Sequence, residues 1–338
     1  MYWLIALMFA VVAKAAPADP LIIEINGDFG LAERNGKVLL GPKYHKMGLF
    51  SEGLAWFEVR DEKAGSLRYG FVNRKGKPAI TPTWEAVGDF HSDRATVKVG
   101  STWGYLNSKG KLAIPAKFLH VEAFSEDRAT VELEQDKFVV IDPAGNTVFP
   151  LDGYQAKDMQ SYHEGLLVVV PTGDGPAKVL DKTGKVVFTA PGKTLESFSD
   201  GLALFKGNDE RLGFLDKTGK IVIQPNYAFA KAFSEGLAPA EQDGRWGYID
   251  KTGQWSVQPI FEEADSFAEG LSRIRVGTQF GYSDRQGHTV ISPVWEDPEL
   301  PLSRFKNGVV LVGKQEGGKL LRGWIDKSGN AVWSAWKP

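Results

Sequence analysis

The chain has no cysteine, few histidines and no strong excess of charge of either sign. Without cysteine there can be no thiol nucleophile, thiolate zinc site, disulfide or lipid-bearing cysteine. The 40 basic and 42 acidic residues give a formal charge of −2 and are scattered, so we expect no nucleic-acid partner. The five histidines lack the His-x-x-x-His and His-Glu-x-x-His spacings of zinc sites.

Long apolar runs are also missing, except at the start of the chain. Residues 2–13 are nearly all apolar but too few for a comfortable membrane span, and Ala13-Lys14-Ala15 follows as a small-x-small pattern. We interpret residues 1–15 as a signal peptide cleaved after Ala15, with an uncleaved anchor or a buried strand as the alternatives. This interpretation predicts a secreted or periplasmic protein whose mature chain has no membrane span.

Helical periodicity is missing as well, and one unit of sequence recurs instead. Beyond the first fifteen residues, no segment keeps an apolar stripe at helical spacing. An Asp/Asn-x-x-Gly turn returns about every 34 residues across residues 21–333. Its glycines are Gly36, Gly76, Gly110, Gly145, Gly184, Gly219, Gly253, Gly287 and Gly329.

Each unit contains three short stretches with the composition of strands, most clearly in residues 245–259. There Trp246-Gly247-Tyr248 precedes a turn that opens at Asp250, and β-branched and aromatic residues follow it. The Asp side chain can accept amide hydrogen bonds, and the closing glycine can take a positive φ. Such a tight link joins antiparallel neighbours. We therefore predict an all-β fold of three-stranded antiparallel meanders, with the aromatic–Gly strand in the middle.

A longer connector of the form Pro-x-aromatic, followed by Phe-Ser-Glu-Gly-Leu-Ala, joins consecutive units. Proline cannot donate to a β ladder, so we expect it to end the third strand. The two connector aromatics are expected to fill the gap between adjacent sheets. One unit cannot bury them alone, so the units should stack.

Two arrangements of about nine stacked units are possible for residues 21–338: an open curved array and a β-propeller-like ring. Four-stranded propeller blades usually need about 40–45 residues, more than most of these units have. Propellers often close by combining both chain ends in one blade. Here the first unit starts with its own first strand, Leu21–Ile25, and the last ends with its own third, residues 331–333. We therefore favour the open array, with the ring as the alternative.

The repeated W/F/Y-G-Y/F-I/L-D-x-x-G-K motif, with the connector behind it, resembles the WG-repeat (KWG-repeat) family of bacterial proteins. Members are generally taken to be binding or interaction modules, and the resemblance implies such a role here. The fourth and fifth units depart from the motif, because Val139 and Lys178 replace its glycine. The last unit has Arg322 in place of the leading aromatic.

The residues that could carry chemistry have simpler explanations as parts of the repeat. Asp181-Lys182-Thr183-Gly184 resembles the phosphorylated motif of P-type ATPases, but Asp216 and Asp250 open identical sequences, which favours turns. No nucleophile elbow, phosphate loop or dinucleotide motif occurs. Carboxylates that recur in the connectors would form an acidic row, which we expect to bind local amides rather than calcium. They are Glu52, Glu126, Glu164, Asp200, Glu235 and Glu269.

Candidate partner-binding residues are those that break the repeat consensus. Asp93-Arg94 and Asp127-Arg128 replace Gly-Leu in neighbouring connectors, and either bind a partner or form an ordinary solvated face. Some tryptophans lie outside the common aromatic positions and are candidates for an exposed platform, although packing is the default role of such residues. These tryptophans are Trp56, Trp333 and Trp336.

These observations favour a non-enzymatic binding module of the bacterial envelope, without cofactor or metal, whose repeat surface binds a protein. A polysaccharide or cell-wall glycan is the alternative ligand, and it would require exposed aromatics in a row. A hydrolase with its site in a central cleft has the least support, because carboxylates from several units would have to converge on one pocket.

Overall fold

The computed structural model describes residues 18–61, 65–155, 161–173, 175–297 and 303–336. The signal peptide predicted for residues 1–15 lies outside this range. The described residues form β-strands, turns and loops and contain no helix, which confirms the all-β prediction. It follows that no helix in this part of the chain could cross a membrane.

The strands form nine small antiparallel sheets, each built from one continuous stretch of chain, and the sheets are the blades of a ring. Blades 1 to 3 comprise β1 (Leu21–Ile25), β2 (Asp28–Ala32), β3 (Val38–Tyr44); β4 (Lys46–Met47), β5 (Leu54–Asp61), β6 (Ser66–Asn73), β7 (Pro78–Trp84); and β8 (Ala86–His91), β9 (Arg94–Val99), β10 (Thr102–Leu106), β11 (Leu112–Phe118). Blades 4 to 6 comprise β12 (His120–Val121), β13 (Ala129–Glu134), β14 (Lys137–Ile141), β15 (Thr147–Pro150); β16 (Leu166–Val169), β17 (Lys178–Asp181), β18 (Val186–Thr189); and β19 (Thr194–Leu195), β20 (Leu202–Lys206), β21 (Leu212–Asp216), β22 (Ile221–Tyr227). Blades 7 to 9 comprise β23 (Leu237–Gln242), β24 (Arg245–Asp250), β25 (Trp255–Phe261); β26 (Glu263–Ala264), β27 (Ser272–Val276), β28 (Gln279–Ser283), β29 (Thr289–Trp295); and β30 (Val309–Glu316), β31 (Lys319–Asp326), β32 (Ala331–Ser334).

The predicted meander of three strands is present in every blade, and the connector adds a short strand in front of it in five of them. This additional strand has only two residues in four of the five blades, as in Lys46–Met47. In blades 5, 7 and 9 a single bridge takes its place, for example Ala230 paired with Ala240. A unit of about 34 residues can therefore supply a propeller blade, although typical four-stranded repeats are longer.

The ring is closed, so the open curved array that we favoured is wrong and the propeller-like alternative is right. Blade 9 contacts blade 1 directly: the Trp324 indole donates to the Ile22 carbonyl at 2.6 Å, and Arg322 pairs with Glu24 at 2.6 Å. A buried cluster fills the same interface, and its members are Leu21, Ile23, Ala32, Val309, Leu311 and Trp324. Two complete blades pack against each other here without sharing strands, so separate terminal units do not prevent closure.

The core lies between the blades. Among the described residues, nine buried clusters occur, one at each interface between neighbouring blades. The second aromatic of each connector fills these gaps as predicted and is at most 4% exposed, whereas the aromatic after the proline is only partly buried in some units, such as Trp84 and Trp295. Burying one such ring contributes about 1.5–3 kcal/mol. The second aromatics are Phe50, Phe90, Phe124, Tyr162, Phe198, Phe233, Phe267 and Phe305.

The glycine of the aromatic–Gly motif lies against a bulge in the outer strand. In blade 7, Trp246 pairs with Phe261 and Tyr248 with Val257, so the outer strand uses two more residues than its neighbour. A Cβ on Gly247 would lie 2.5 Å from the Val257 carbonyl oxygen and 2.8 Å from the Pro259 nitrogen. Only glycine fits at this position.

The bulge also corrects the prediction that proline ends the third strand. Strand β25 continues through Pro259 to Phe261, and the proline lies in the bulge, where it has no ladder partner. Its missing N–H therefore costs no ladder bond. In blade 4, which lacks the motif glycine, Val139 and Val140 pair in register with Pro150 and Phe149. Without a bulge at this point, a side chain can replace the glycine.

The close approach at Gly247 predicts that Gly247→Ala will destabilise the protein. Forcing a methyl group into packed backbone costs about 1–3 kcal/mol, and we expect a loss of this size in the free energy of unfolding measured by urea titration. Gly41→Ala is the matched control, because Gly41 lies in the bulge of blade 1 with nothing within 4 Å of its Cβ position. Equal losses in the two variants would contradict the packing explanation.

Candidate functional site

The two faces of the ring carry different segments because the strands alternate in direction. On one face, the turn face, lie the Phe-Ser-Glu-Gly turns that lead into the meander and the Asp-x-x-Gly turns before the outer strand. On the other, the hairpin face, lie the hairpins between the first two meander strands and the connectors to the next blade. Each face therefore presents equivalent positions from successive units.

On the turn face, the Phe-Ser-Glu-Gly turn fastens each blade to the next. Glu235 and Gly236 have φ values of 55° and 84°, as a type I′ turn requires. The Glu235 carboxylate accepts hydrogen bonds from the amides of Glu269 (2.6 Å) and Gly270 (2.8 Å) in the next blade. The Ser234 hydroxyl donates to the Phe267 carbonyl at 2.7 Å. We call this set of contacts between turns a latch.

Lysines of the Asp-x-x-Gly turns complete several latches. Lys182 lies 3.1 Å from the Glu126 carboxylate of the preceding blade and donates to its carbonyl at 2.9 Å, and Lys217 contacts Glu164 in the same way. The acidic row thus accepts amide protons as expected, but from the neighbouring blade rather than locally. In the part of the chain that the structure describes, no group of His, Asp and Glu side chains is placed to hold a metal ion.

The structure places Asp93-Arg94 and Asp127-Arg128 in these latches on adjacent blades. Asp93 and Asp127 take the left-handed conformation, with φ of 55° and 62°. Arg94 donates to the Pro143 carbonyl at 2.9 Å, and Arg128 donates to a carbonyl of the following blade at 3.4 Å. The two guanidinium groups therefore help to hold neighbouring blades together. A role of these four residues in partner binding stays a prediction.

The tryptophans do not form an exposed platform. Trp336 is 8% exposed and packs 5.6 Å from Trp295 between ring centroids, so its expected exposure is wrong. Trp56 is half-buried where blades 2 and 3 meet, hydrogen-bonds Asp89 and contacts Tyr69 edge-on. Trp333 is also half-buried and packs against the cluster that closes the ring. All three positions serve packing.

The hairpin face carries an apolar surface that the repeat does not require. Four of the five most exposed large apolar side chains among the described residues lie there, on blades 6 to 8. They are Phe229 (62% exposed), Ile260 (56%), Val294 (54%) and Val276 (49%). We call these four residues the apolar strip.

Polar contacts join the strip from blade to blade. The Phe229 carbonyl accepts a hydrogen bond from the Glu241 amide at the base of the blade 7 hairpin, at 2.9 Å. Arg245 of the same hairpin lies 3.7 Å from Glu262, two residues beyond Ile260. The Glu262 carboxylate accepts from the Gly277 amide, next to Val276, at 2.8 Å. These contacts link the segments that carry Phe229, Ile260 and Val276, and charged side chains lie beside the apolar ones, as at the rims of many protein interfaces.

The sequence holds a signal for the strip at a position outside the repeat consensus. Ile260 and Val294 are the variable residue of the Pro-x-aromatic connector, which is Lys43, Thr83 and Asn226 in other units. Nothing in the packing of the bulge asks for an apolar residue at this position. Comparing this single position across the units would have shown apolar side chains in two consecutive blades.

The repeat matches a known family in six places. The model of the WG-containing repeat matches residues 29–62, 69–103, 103–135, 213–246, 246–277 and 280–317. Each match begins in the middle strand of a blade that has the motif glycine and the bulge, which are blades 1, 2, 3, 6, 7 and 8. Together the six matches cover more than half of the chain. No curated protein matches the chain in sequence.

Several solved structures are similar in fold. The crystal structure of the eukaryotic initiation factor superposes with a TM-score of 0.62 at 8% identity, over 94% of this chain and 95% of that one. BamB from Moraxella catarrhalis superposes with a TM-score of 0.41 at 13% identity, over 79% of this chain and 94% of that one. The WD40 β-propeller domain of Doa1 superposes with a TM-score of 0.34 at 14% identity, over 66% of this chain and 86% of that one. At such low identity, the first similarity supports the fold alone.

The latches predict a loss of stability in acid. Burial acts to raise the pKa of Glu126, Glu164 and Glu269, but the amides and lysines of the next blade outweigh it and hold each pKa below its ordinary value. Because the folded pKa is lower than the unfolded one, this stabilisation is complete above about pH 4.3 and is lost as the pH falls through the folded pKa.

Replacing all three glutamates by glutamine should therefore lower the urea midpoint more at pH 7 than at pH 3. The control replaces Glu85 and Glu316, which are exposed carboxylates outside the latches. It should behave like the wild type at both pH values. If the urea midpoint of the triple variant fell as much at pH 3 as at pH 7, the carboxylate charge would not stabilise the latches.

Proposed function

This chain belongs to the WG-repeat family, and we propose that it is a non-enzymatic module of the bacterial envelope that binds a partner protein on its apolar strip. The exposed strip on blades 6 to 8 carries the proposal. The envelope location rests on the signal peptide that we infer from residues 1–15. The absence of catalytic motifs from the sequence supports binding rather than catalysis.

The strip has the physical properties of a docking surface. Its side chains are 49–62% exposed, whereas most of the other large apolar residues lie between blades. Fully burying one such side chain under a partner would contribute about 1.5–3 kcal/mol. The flanking Arg245, Glu262 and Arg275 can select the partner by charge, as rim residues do in protein interfaces.

Protein is favoured over glycan as the ligand. Glycan binding commonly uses aromatic rings that lie flat and exposed. Among the described residues, Phe229 is the one aromatic side chain that is largely exposed, and its neighbours in the strip are aliphatic. Aliphatic side chains offer no face for sugar stacking but pack well against a protein.

The strip can be tested with substitutions that the repeat itself accepts. Lys43 and Lys46 occupy in another unit the positions of Ile260 and Phe229, so lysines at Phe229, Ile260 and Val294 should leave the fold intact. The mature chain from Ala16 is immobilised and exposed to bacterial envelope extract. We expect the wild type to retain a protein that the triple-lysine variant binds at least about tenfold more weakly.

The control carries lysines at Val38 and Leu112, which are exposed to a similar degree but begin outer strands on the turn face. It should retain the same protein as the wild type. Equal retention by the triple-lysine variant would overturn the proposed surface. Loss on replacing Arg94 and Arg128 by glutamine, with the strip intact and the urea midpoint unchanged, would move the site to the turn face, and retention of glycan alone would favour the alternative ligand.

A further inference from the structure

The centre of the ring holds a polar cavity, separate from the apolar strip. Residues of the connectors in blades 6 to 9 line it, among them Glu196, Lys231, Ser266 and Arg304, and its volume is about 310 Å³. A neighbouring cavity of about 410 Å³ shares Glu196 and adds His163. Side chains from four blades thus face one space.

Arg304 stands out by its position in the repeat. It precedes the connector aromatic Phe305, and in blades 4 to 8 the residue before the aromatic is always small. The small residues are Ala123, Ser161, Ser197, Ala232 and Ser266. Of these, Ala232 and Ser266 line the same cavity as Arg304. In blade 9 this position therefore carries a long cationic side chain, whereas five other blades have a small residue there.

Two charges in the cavity have no partner among the described residues. Neither Arg304 nor Glu196 forms a side-chain hydrogen bond or ion pair with any residue that the structure describes, and partial burial raises the pKa of Glu196. By contrast, Lys231 in the same cavity is paired with Asp265 at 2.6 Å. Both side chains are exposed to solvent, so a ligand that enters the cavity can reach them. Here the protein keeps one charge of each sign on different blades, apart from each other.

We propose that this cavity binds a small zwitterion, namely a free amino acid or a short peptide. Arg304 would hold the ligand carboxylate, for which the planar guanidinium is suited, and Glu196 would hold its ammonium group. The hydroxyls of Ser199 and Ser266 donate to protein carbonyls, at 2.7 and 3.1 Å, so their oxygens can accept from the ligand. A volume of about 310 Å³ suits a ligand of this size.

The test is calorimetric titration of the whole mature chain with L-alanyl-L-alanine, its N-acetyl derivative and its C-terminal amide. The unmodified dipeptide should bind, and each derivative should bind about tenfold more weakly because one charge pair is lost. Arg304→Gln should weaken binding of the dipeptide by a similar factor but leave the weak binding of the amide unchanged. Glu196→Gln should show the same pattern with the N-acetyl derivative.

The control variant is Arg211→Gln, which removes an exposed guanidinium from the hairpin face and should bind like the wild type. No binding of the dipeptide to the wild type would overturn the proposal. So would equal binding by Arg304→Gln and Arg211→Gln, or full binding of both blocked peptides. None of these results bears on the strip, because its variants change different residues and its test uses a different ligand.

Discussion

Contact between neighbouring blades is the interaction on which the rest of the structure depends. A blade of three or four short strands cannot bury its apolar faces alone. Its aromatic residues are buried only where the next blade covers them, and the latches fix one blade on the next. In an open array the terminal units would need polar caps. The closed ring needs none, because blade 9 covers blade 1.

The sequence predicted what is local and missed what depends on the angle between blades. The meander strands were found because turn chemistry repeats at fixed spacing, as in the Asp250 turn. Closure could not be predicted, since it depends on rotations that accumulate over nine units and bring Trp324 to Ile22. The burial of Trp336 was missed for the same reason, because its neighbour Trp295 belongs to another blade. Arg304 and Ile260 would have been found by comparing units position by position.

The two faces of the ring differ in how much their residues contribute to its structure. On the turn face, charged side chains and backbone amides pair with each other in the latches. A substitution there therefore disturbs the contacts between blades. The hairpin face has positions, such as the residue after the connector proline, where lysine, threonine, asparagine, isoleucine and valine all occur. A site can arise at such positions without altering the core. The same holds for the residue before the connector aromatic, which in blades 7 to 9 lines the polar cavity.

Closure without shared strands makes one interface different from the other eight. Connectors link blades 1 to 9 in succession, but no described segment of chain crosses from blade 9 back to blade 1. Packing and side-chain contacts, such as those of Trp324 and Arg322, hold this seam. A whole unit could therefore be gained or lost by duplication or deletion without redesigning a composite blade. A change of one blade would therefore require a new angle between blades but no new composite blade.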